Sequence, residues 1–231
     1  MLRRLDQLLA NLGYCSRRGA RDFLRAHEVL VDRIPVGDPS QKVSPSAVRV
    51  DGAPLDHPDG ILVMLHKPVG LVCSHDASEG PSVYSLLPDR WRNRSPQLTT
   101  VGRLDKETSG LLLITDQGPL VHRLTAPRHH VAKRYRARVD GAIPTSLIDL
   151  FGAGQLTLEG ERSPCAPARL EIAGKHEALL ELTEGRYHQV RRMFASQGLT
   201  VLTLHRESFG GLSLGDLAPG SCRELPLSYF D

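Results

Sequence analysis

Between residues 98 and 115 the chain runs apolar, then charged, then apolar again. Residues 98–101 and 111–115 read as strands, and they bracket Gly102-Arg103-Leu104-Asp105-Lys106-Glu107-Thr108-Ser109-Gly110. That pattern commits the middle of the chain to a sheet with a tight charged loop at its end. Other strands surround it. Residues 61–65 are an apolar run ending in His66-Lys67-Pro68-Val69-Gly70. Residues 135–139 alternate, with Tyr135, Ala137 and Val139 on one face and Arg136 and Arg138 on the other. Residues 170–172, 178–182 and 199–204 add more. Helices are expected at 144–151 and 188–197, with Gly198 just past the second. Strand-rich alternation without a regular β-α-β rhythm predicts an α+β fold rather than a doubly wound sheet.

Residues 1–56 carry a different pattern. Leu5, Leu8, Leu9 and Leu12 form the stripe of an amphipathic helix that Gly13 can close. Ser16 is the expected N-cap of a second helix, whose apolar face is Ala20, Phe23, Leu24 and His27. On that helix Arg17, Arg18, Arg21 and Arg25 fall on one side. The first thirty residues hold six Arg against Asp6, Asp22 and Glu28, a local excess of three positive charges. Short β-rich pieces follow at 29–31 and 48–50, with turn signals at Asp32-Arg33-Ile34-Pro35 and Asp51-Gly52. The turn-rich stretch 54–60 reads as a linker. The expected division is a small module at 1–56, a linker at 57–60 and a larger domain at 61–231. Taken alone, an Arg stripe on a small helix pair is a solvated face.

Composition narrows the class. Apolar residues at 40% and charged residues at 24% exclude wholesale disorder. Lys and Arg number 29 against 26 acids, so a nucleic-acid partner has to be argued from where the Arg residues lie. No apolar run approaches the ~18 residues of a membrane helix, and Met1-Leu2-Arg3-Arg4 is not followed by a signal-peptide core. Cys15, Cys73, Cys165 and Cys222 lie far apart, which suits neither a zinc site nor a disulfide framework and predicts a reducing cytoplasm.

Three segments could carry chemistry. Asp105 lies in the loop between two apolar strands; an aspartate there, taken alone, is a turn residue. Glu184-Gly185-Arg186-Tyr187-His188-Gln189-Val190-Arg191-Arg192-Met193-Phe194 opens a helix whose buried face is Val190, Met193 and Phe194. A hydrolase triad of His188 and Asp105 lacks a serine in a nucleophile-elbow setting. Arg128-His129-His130-Val131-Ala132-Lys133-Arg134-Tyr135-Arg136-Ala137-Arg138 holds five cationic residues and two His without an acid. Adjacent histidines with no carboxylate or thiol nearby are a poor metal set, and a basic run with an aromatic suits phosphates and bases better.

In combination these segments identify families. Helix, Ser-Arg-Arg, basic helix, Val-x-Val-Asp and a closing Val-Asp-Gly resemble the S4 RNA-binding domain, in which the second helix and following loop lie against RNA phosphates. The chain departs from it at Arg33, where that family usually has Gly. Gly102-Arg103-Leu104-Asp105-x-x-Thr108-x-Gly110-Leu111-Leu112, then Lys133-x-Tyr135 and Gly185-x-x-His188-Gln189-Val190-Arg191-Arg192-Met193, resemble the pseudouridine synthases. Arg128-His129-His130, Arg186-Tyr187-His188-Gln189 and Leu204-His205-Arg206-Glu207 are similar to the bacterial small-subunit type, which acts on uridine 516 of 16S RNA.

The resemblance implies a catalytic domain around an antiparallel-rich mixed sheet flanked by helices and loops. It implies Asp105 as nucleophile, with attack at C6 of the base and action at C1′ both open. Arg191 is then the cation that keeps Asp105 ionised, a place some relatives fill with Lys. Tyr135 would face the uracil and is a candidate for proton transfer at C5. Leu204 packs beneath Asp105, and Arg103 enters the space left by an extruded base. Arg128, His129, His130, Lys133, Arg186, His188 and Gln189 are expected to bind substrate, and Arg17, Arg18, Arg21 and Arg25 to meet phosphates. Isomerisation changes no oxidation state and donates no group, so no cofactor and no metal are expected. The expected partner is 16S ribosomal RNA or a small-subunit assembly intermediate, met by a monomer without a membrane. A 23S-directed relative shares the S4 domain and Gly-Arg-Leu-Asp. A non-catalytic S4 protein would not need Asp105, Tyr135 and Arg191 together.

Overall fold

The computed structural model describes residues 1–230; Asp231, the last residue of the expected larger domain, lies outside them. The N-terminal module contains β1 (Arg3–Arg4), α1 (Leu5–Asn11), α2 (Ala20–Ala26), β2 (Val29–Val31), β3 (Ile34–Pro35), β4 (Lys42–Val43), β5 (Val48–Val50) and β6 (Ala53–Pro54). Leu5, Leu8, Leu9 and Leu12 bury against Val29, Val31, Val43, Val48 and Val50, so the leucine stripe is the core-facing one. The second helix differs from its expected start. Ser16 Oγ accepts from the Gly19 amide at 3.0 Å and closes a turn before the helix. The helix begins only at Ala20, the first residue there to be buried. Arg17 and Arg18 therefore ride on the turn, and only Arg21 and Arg25 lie on the helix. Arg33 has φ +67°, so this turn keeps the left-handed backbone that favours glycine while carrying a side chain.

The remainder contains β7 (Leu62–Lys67), α3 (Asp89–Arg92), β8 (Thr99–Thr100), β9 (Thr108–Thr115), α4 (Gly118–Thr125), β10 (Lys133–Val139), α5 (Ser146–Gly152), β11 (Arg169–Gly174), β12 (Glu177–Leu182), α6 (Gln189–Ala195), β13 (Val201–Phe209), β14 (Leu212–Ser213) and β15 (Cys222–Leu225). One sheet runs β11-β12-β10-β13-β9-β7-β15, with β14 beside β13 and β8 beside β9. Every pairing in it is antiparallel except β13 with β9. The α+β expectation with an antiparallel-rich mixed sheet holds. β7 and β9 are apolar on both faces because the sheet is covered on both sides there. β10 alternates because its outer face carries Arg136, bonded to Glu207 at 2.6 Å and paired with Glu177.

Two differences from the expected elements shape the site. β9 starts at Thr108 rather than at 111, since Thr108, Ser109 and Gly110 pair in parallel with Leu204, His205 and Arg206. Gly110, at φ +116°, lies so close to the Arg206 backbone that no Cβ would fit. Pairing with β10 and β14 carries β13 on to Phe209. The helix expected at 188–197 spans only Gln189–Ala195, and His188 before it has φ +48°.

The connector between the two parts is fastened rather than free. Trp91 Nε1 donates to Asp56 Oδ2 at 2.8 Å, and Arg94 donates to the carbonyls of Asp56 and His57 at 3.0 and 2.8 Å. Arg94 also pairs with Asp116, both buried, and Asp116 accepts the Ile61 amide at 3.0 Å. From the first module, the Asn11 carbonyl accepts the Ser95 amide at 2.9 Å, and the Tyr14 hydroxyl accepts the Asp56 amide at 3.1 Å. No helix among the described residues is long and apolar enough to cross a membrane.

Candidate active site

The shortened loop before β9 puts Asp105 on the wall of a cavity of about 580 Å³. Its backbone is held from beneath. β7 ends in Lys67, which has no exposed surface. Lys67 Nζ donates to the carbonyls of Pro68 and Asp105 at 3.1 Å, Lys106 at 3.3 Å and Thr108 at 2.7 Å. Burial lowers its pKa, an effect opposed by Cys73, Asp105 and Glu107 nearby. These carbonyls fix the loop and leave the positive charge of Lys67 uncancelled. The Asp105 side chain is 32% exposed, enough to meet a ligand.

Two side chains from the next wall reach its carboxylate. Arg191 on α6 places Nε 3.8 Å from Oδ2, and His188 places Nε2 3.4 Å from Oδ1. Arg191 spends its terminal nitrogens on backbone, Nη1 to the Val201 carbonyl at 3.0 Å and Nη2 to the Glu107 carbonyl at 3.1 Å. It therefore faces Asp105 through one edge, as a positioned charge rather than a two-pronged fork. The His188 ring stacks on Tyr187, with centroids 3.8 Å apart. Tyr187 is 76% exposed.

The sheet supplies the floor. Tyr135 and Leu204 are buried and line the cavity from β10 and β13, with Tyr135 opposite Arg206 in register. Lys133 also lines it. Burial, then the charge of Arg206, pushes the Lys133 pKa down to about 8, and Nζ donates to the Val131 carbonyl at 2.7 Å.

The other expected residues divide. Arg103 lies exposed at the rim, 3.7 Å from Glu79. Arg186 and Gln189 line the cavity but spend their polar atoms inside the protein. Arg186 donates to the carbonyls of Ser163 and Pro164 at 2.8 and 2.5 Å and pairs with Glu184 at 3.3 Å. Gln189 donates to Glu184 at 2.6 Å and accepts the Arg186 amide at 2.9 Å. The pair braces the wall that carries His188. Arg128, His129 and His130 are exposed and lie beyond the lining residues, between Ala126 and Val131, which do line it. Arg17, Arg18, Arg21 and Arg25 are exposed on the N-terminal module and also lie outside it.

Lys67 and Arg206 are site residues that sequence reasoning misses. The only signal for Lys67 is a lysine at the end of an apolar run just before Pro. The signal for Arg206 is hidden because the apolar pattern of its strand stops at residue 204.

Comparison with known proteins gives consistent relatives. Residues 61–196 match the RNA pseudouridylate synthase family and residues 3–48 match the S4 domain. The ribosomal small subunit pseudouridine synthase A of Escherichia coli (strain K12) is 40% identical over 227 residues, covering 96% of this chain and 96% of its own. The protein of that name from Vibrio parahaemolyticus serotype O3:K6 is 39% identical over 226 residues, covering 96% of this chain and 95% of its own. A crystal structure of a pseudouridylate synthase superposes with a TM-score of 0.68 at 33% identity, covering 97% of this chain and 96% of that one.

Proposed function

Because the chain belongs to the RNA pseudouridylate synthase family, we propose that it isomerises uridine 516 of 16S ribosomal RNA with Asp105 as its nucleophile. It is a pseudouridine synthase of the small-subunit type, so a non-catalytic S4 protein is set aside. The observation that carries the site is the Asp105 carboxylate itself. It is accessible in a cavity large enough for a base, with a cation-capable side chain beside each oxygen.

The reaction breaks N1–C1′, turns the uracil, joins C5 to C1′ and moves a proton from C5 to N1. Atoms and electrons balance within the nucleotide, so the chain's own residues suffice. Asp105 acts as the nucleophile that divides the exchange into easier steps. Arg191 presents its positive charge to that carboxylate. Tyr135 offers the base a flat face, and its phenol moves the C5 proton. The target has to leave its stack, and Arg103 at the rim takes the vacated space. The Arg17, Arg18, Arg21 and Arg25 surface holds phosphates, which orient the RNA without reading its sequence. The enzyme works as a monomer in the cytoplasm, on 16S RNA or a small-subunit assembly intermediate.

Mapping pseudouridines in 16S and 23S RNA after incubation with the purified protein tests this. One new pseudouridine at position 516 is expected. Modification of 23S RNA, or of another 16S uridine, would replace the proposed target.

A further inference from the structure

We propose that Arg206 donates a hydrogen bond to a carbonyl oxygen of the target uracil, O2 or O4, and holds the base while its bond to the sugar is exchanged. This rests on reading the cavity as the uridine site. Arg206 is 2% exposed and lines that cavity from β13. Its Nε donates to the Leu111 carbonyl at 2.7 Å, and its guanidinium lies over the Phe209 ring, 5.3 Å from the centroid. Nη2 is buried and has no hydrogen-bond partner in the protein. Among the described residues no carboxylate pairs with Arg206. A buried charged donor left unmatched is costly, and at the wall of a ligand cavity that marks where a ligand atom belongs.

The chemistry of the missing partner follows from what can reach it. The nucleotide stays tied to the RNA chain on both sides, so its phosphates remain near the mouth and the base alone reaches the floor. Uracil offers two carbonyl oxygens and one N–H there, and a guanidinium only donates. Lys133 lies over the same Phe209 ring, its Nζ 5.5 Å from the centroid, so this end of the cavity is doubly cationic. That suits an oxygen that gains charge. When N1–C1′ breaks, its electron pair stays on the ring and spreads over O2 and O4. C5 then supplies a ring pair to C1′ and releases its hydrogen as a proton, while N1 takes one up. A fixed donor at the floor of the cavity favours the charged stage.

The test uses the full-length protein and substrate RNA carrying 2-thiouridine or 4-thiouridine at the target, since sulfur accepts hydrogen bonds poorly. One of the two replacements is expected to lower kcat by about 10- to 100-fold, the effect of one charge-assisted hydrogen bond. Arg206→Met should lose about as much on ordinary RNA, keep its RNA affinity within about threefold and no longer distinguish sulfur from oxygen. Arg206→Lys should recover part of the rate. Equal handling of both thio-RNAs and ordinary RNA by the unaltered enzyme overturns the proposal, whether or not the Met variant folds. A folded Met variant that still prefers oxygen also overturns it. Failure of the site reading is distinct: Asp105→Asn would then still form pseudouridine on ordinary RNA.

Discussion

The two parts of the molecule keep their positive charges in opposite ways. On the N-terminal module Arg17 and Arg25 are 61% and 74% exposed, and each meets one acid only at 3.4 Å. Such pairs contribute little in water, so these side chains stay free to move and to give up counterions. Around the cavity Lys67, Arg191 and Arg206 each bind backbone carbonyls. A carbonyl fixes a cation's direction but cancels little of its charge. Affinity for a polyanion needs mobile cations; chemistry at one atom needs cations that are held and still charged.

The contrast breaks hardest at Asp105. Asp105→Asn and Asp105→Ala should form no pseudouridine, while RNA affinity, read by filter binding, stays within about threefold, because the exposed arginines of the N-terminal module are untouched. Turnover by either purified variant would remove Asp105 from the nucleophile's role.

Arg191 comes next. Arg191→Ala should cut kcat by roughly 100-fold or more, the scale of losing one charged stabiliser. Arg191→Lys should retain part of that rate, since a point charge can still face Asp105. Equal loss in both would mean that the bonds to the Val201 and Glu107 carbonyls, rather than the charge, are what the site requires.

Changing Arg17, Arg18, Arg21 and Arg25 together to Ala should do the reverse. RNA affinity falls, and the log–log salt slope shrinks by roughly 0.7–0.9 for each phosphate that is no longer neutralised. kcat at saturating RNA should hold. This set is a cleaner probe than removal of residues 1–56, which would also strip Asn11 and Tyr14 from the fastened connector. An unchanged salt slope would make the arginines a solvated face and shift the electrostatic anchor to the segment around Arg128.

The smallest effect concerns Lys133. Its folded-state pKa, about 8, lies below the unfolded value, so the unfolded chain binds more protons between about 8 and 10. Its charge therefore costs stability below pH 8, and that cost is relieved as pH rises toward 10. In Lys133→Met this part of the rise in urea midpoint should disappear.

The asymmetry also explains what is legible in the sequence. The Asp105 loop is legible because apolar strands flank it, and α1 because its leucines recur with the helix period. Both signals are local. Lys67 is not legible because its partners are carbonyls of a loop some forty residues away. Arg206 depends on the β9–β13 pairing, and the place of Ser16 on where burial begins. α4 leaves little trace as well: only Leu120 and Leu124 of its short span are buried. The connector is polar and turn-rich in sequence, and only the folded chain shows Trp91 and Arg94 gripping it.

The position of β13 has a consequence for the order in which the enzyme is made. β12, β10 and β11 form one part of the sheet and β7 and β9 another, and β13 is the strand that joins them. All five precede residue 201 in the chain, so until β13 has been synthesised both parts present bare edges where it will insert. Until it does, Asp105 has no floor and Arg206 has no place. A polypeptide released early, short of β13, carries the full set of exposed arginines and no cavity. If those arginines hold RNA as proposed, such a fragment competes with the finished enzyme and modifies nothing.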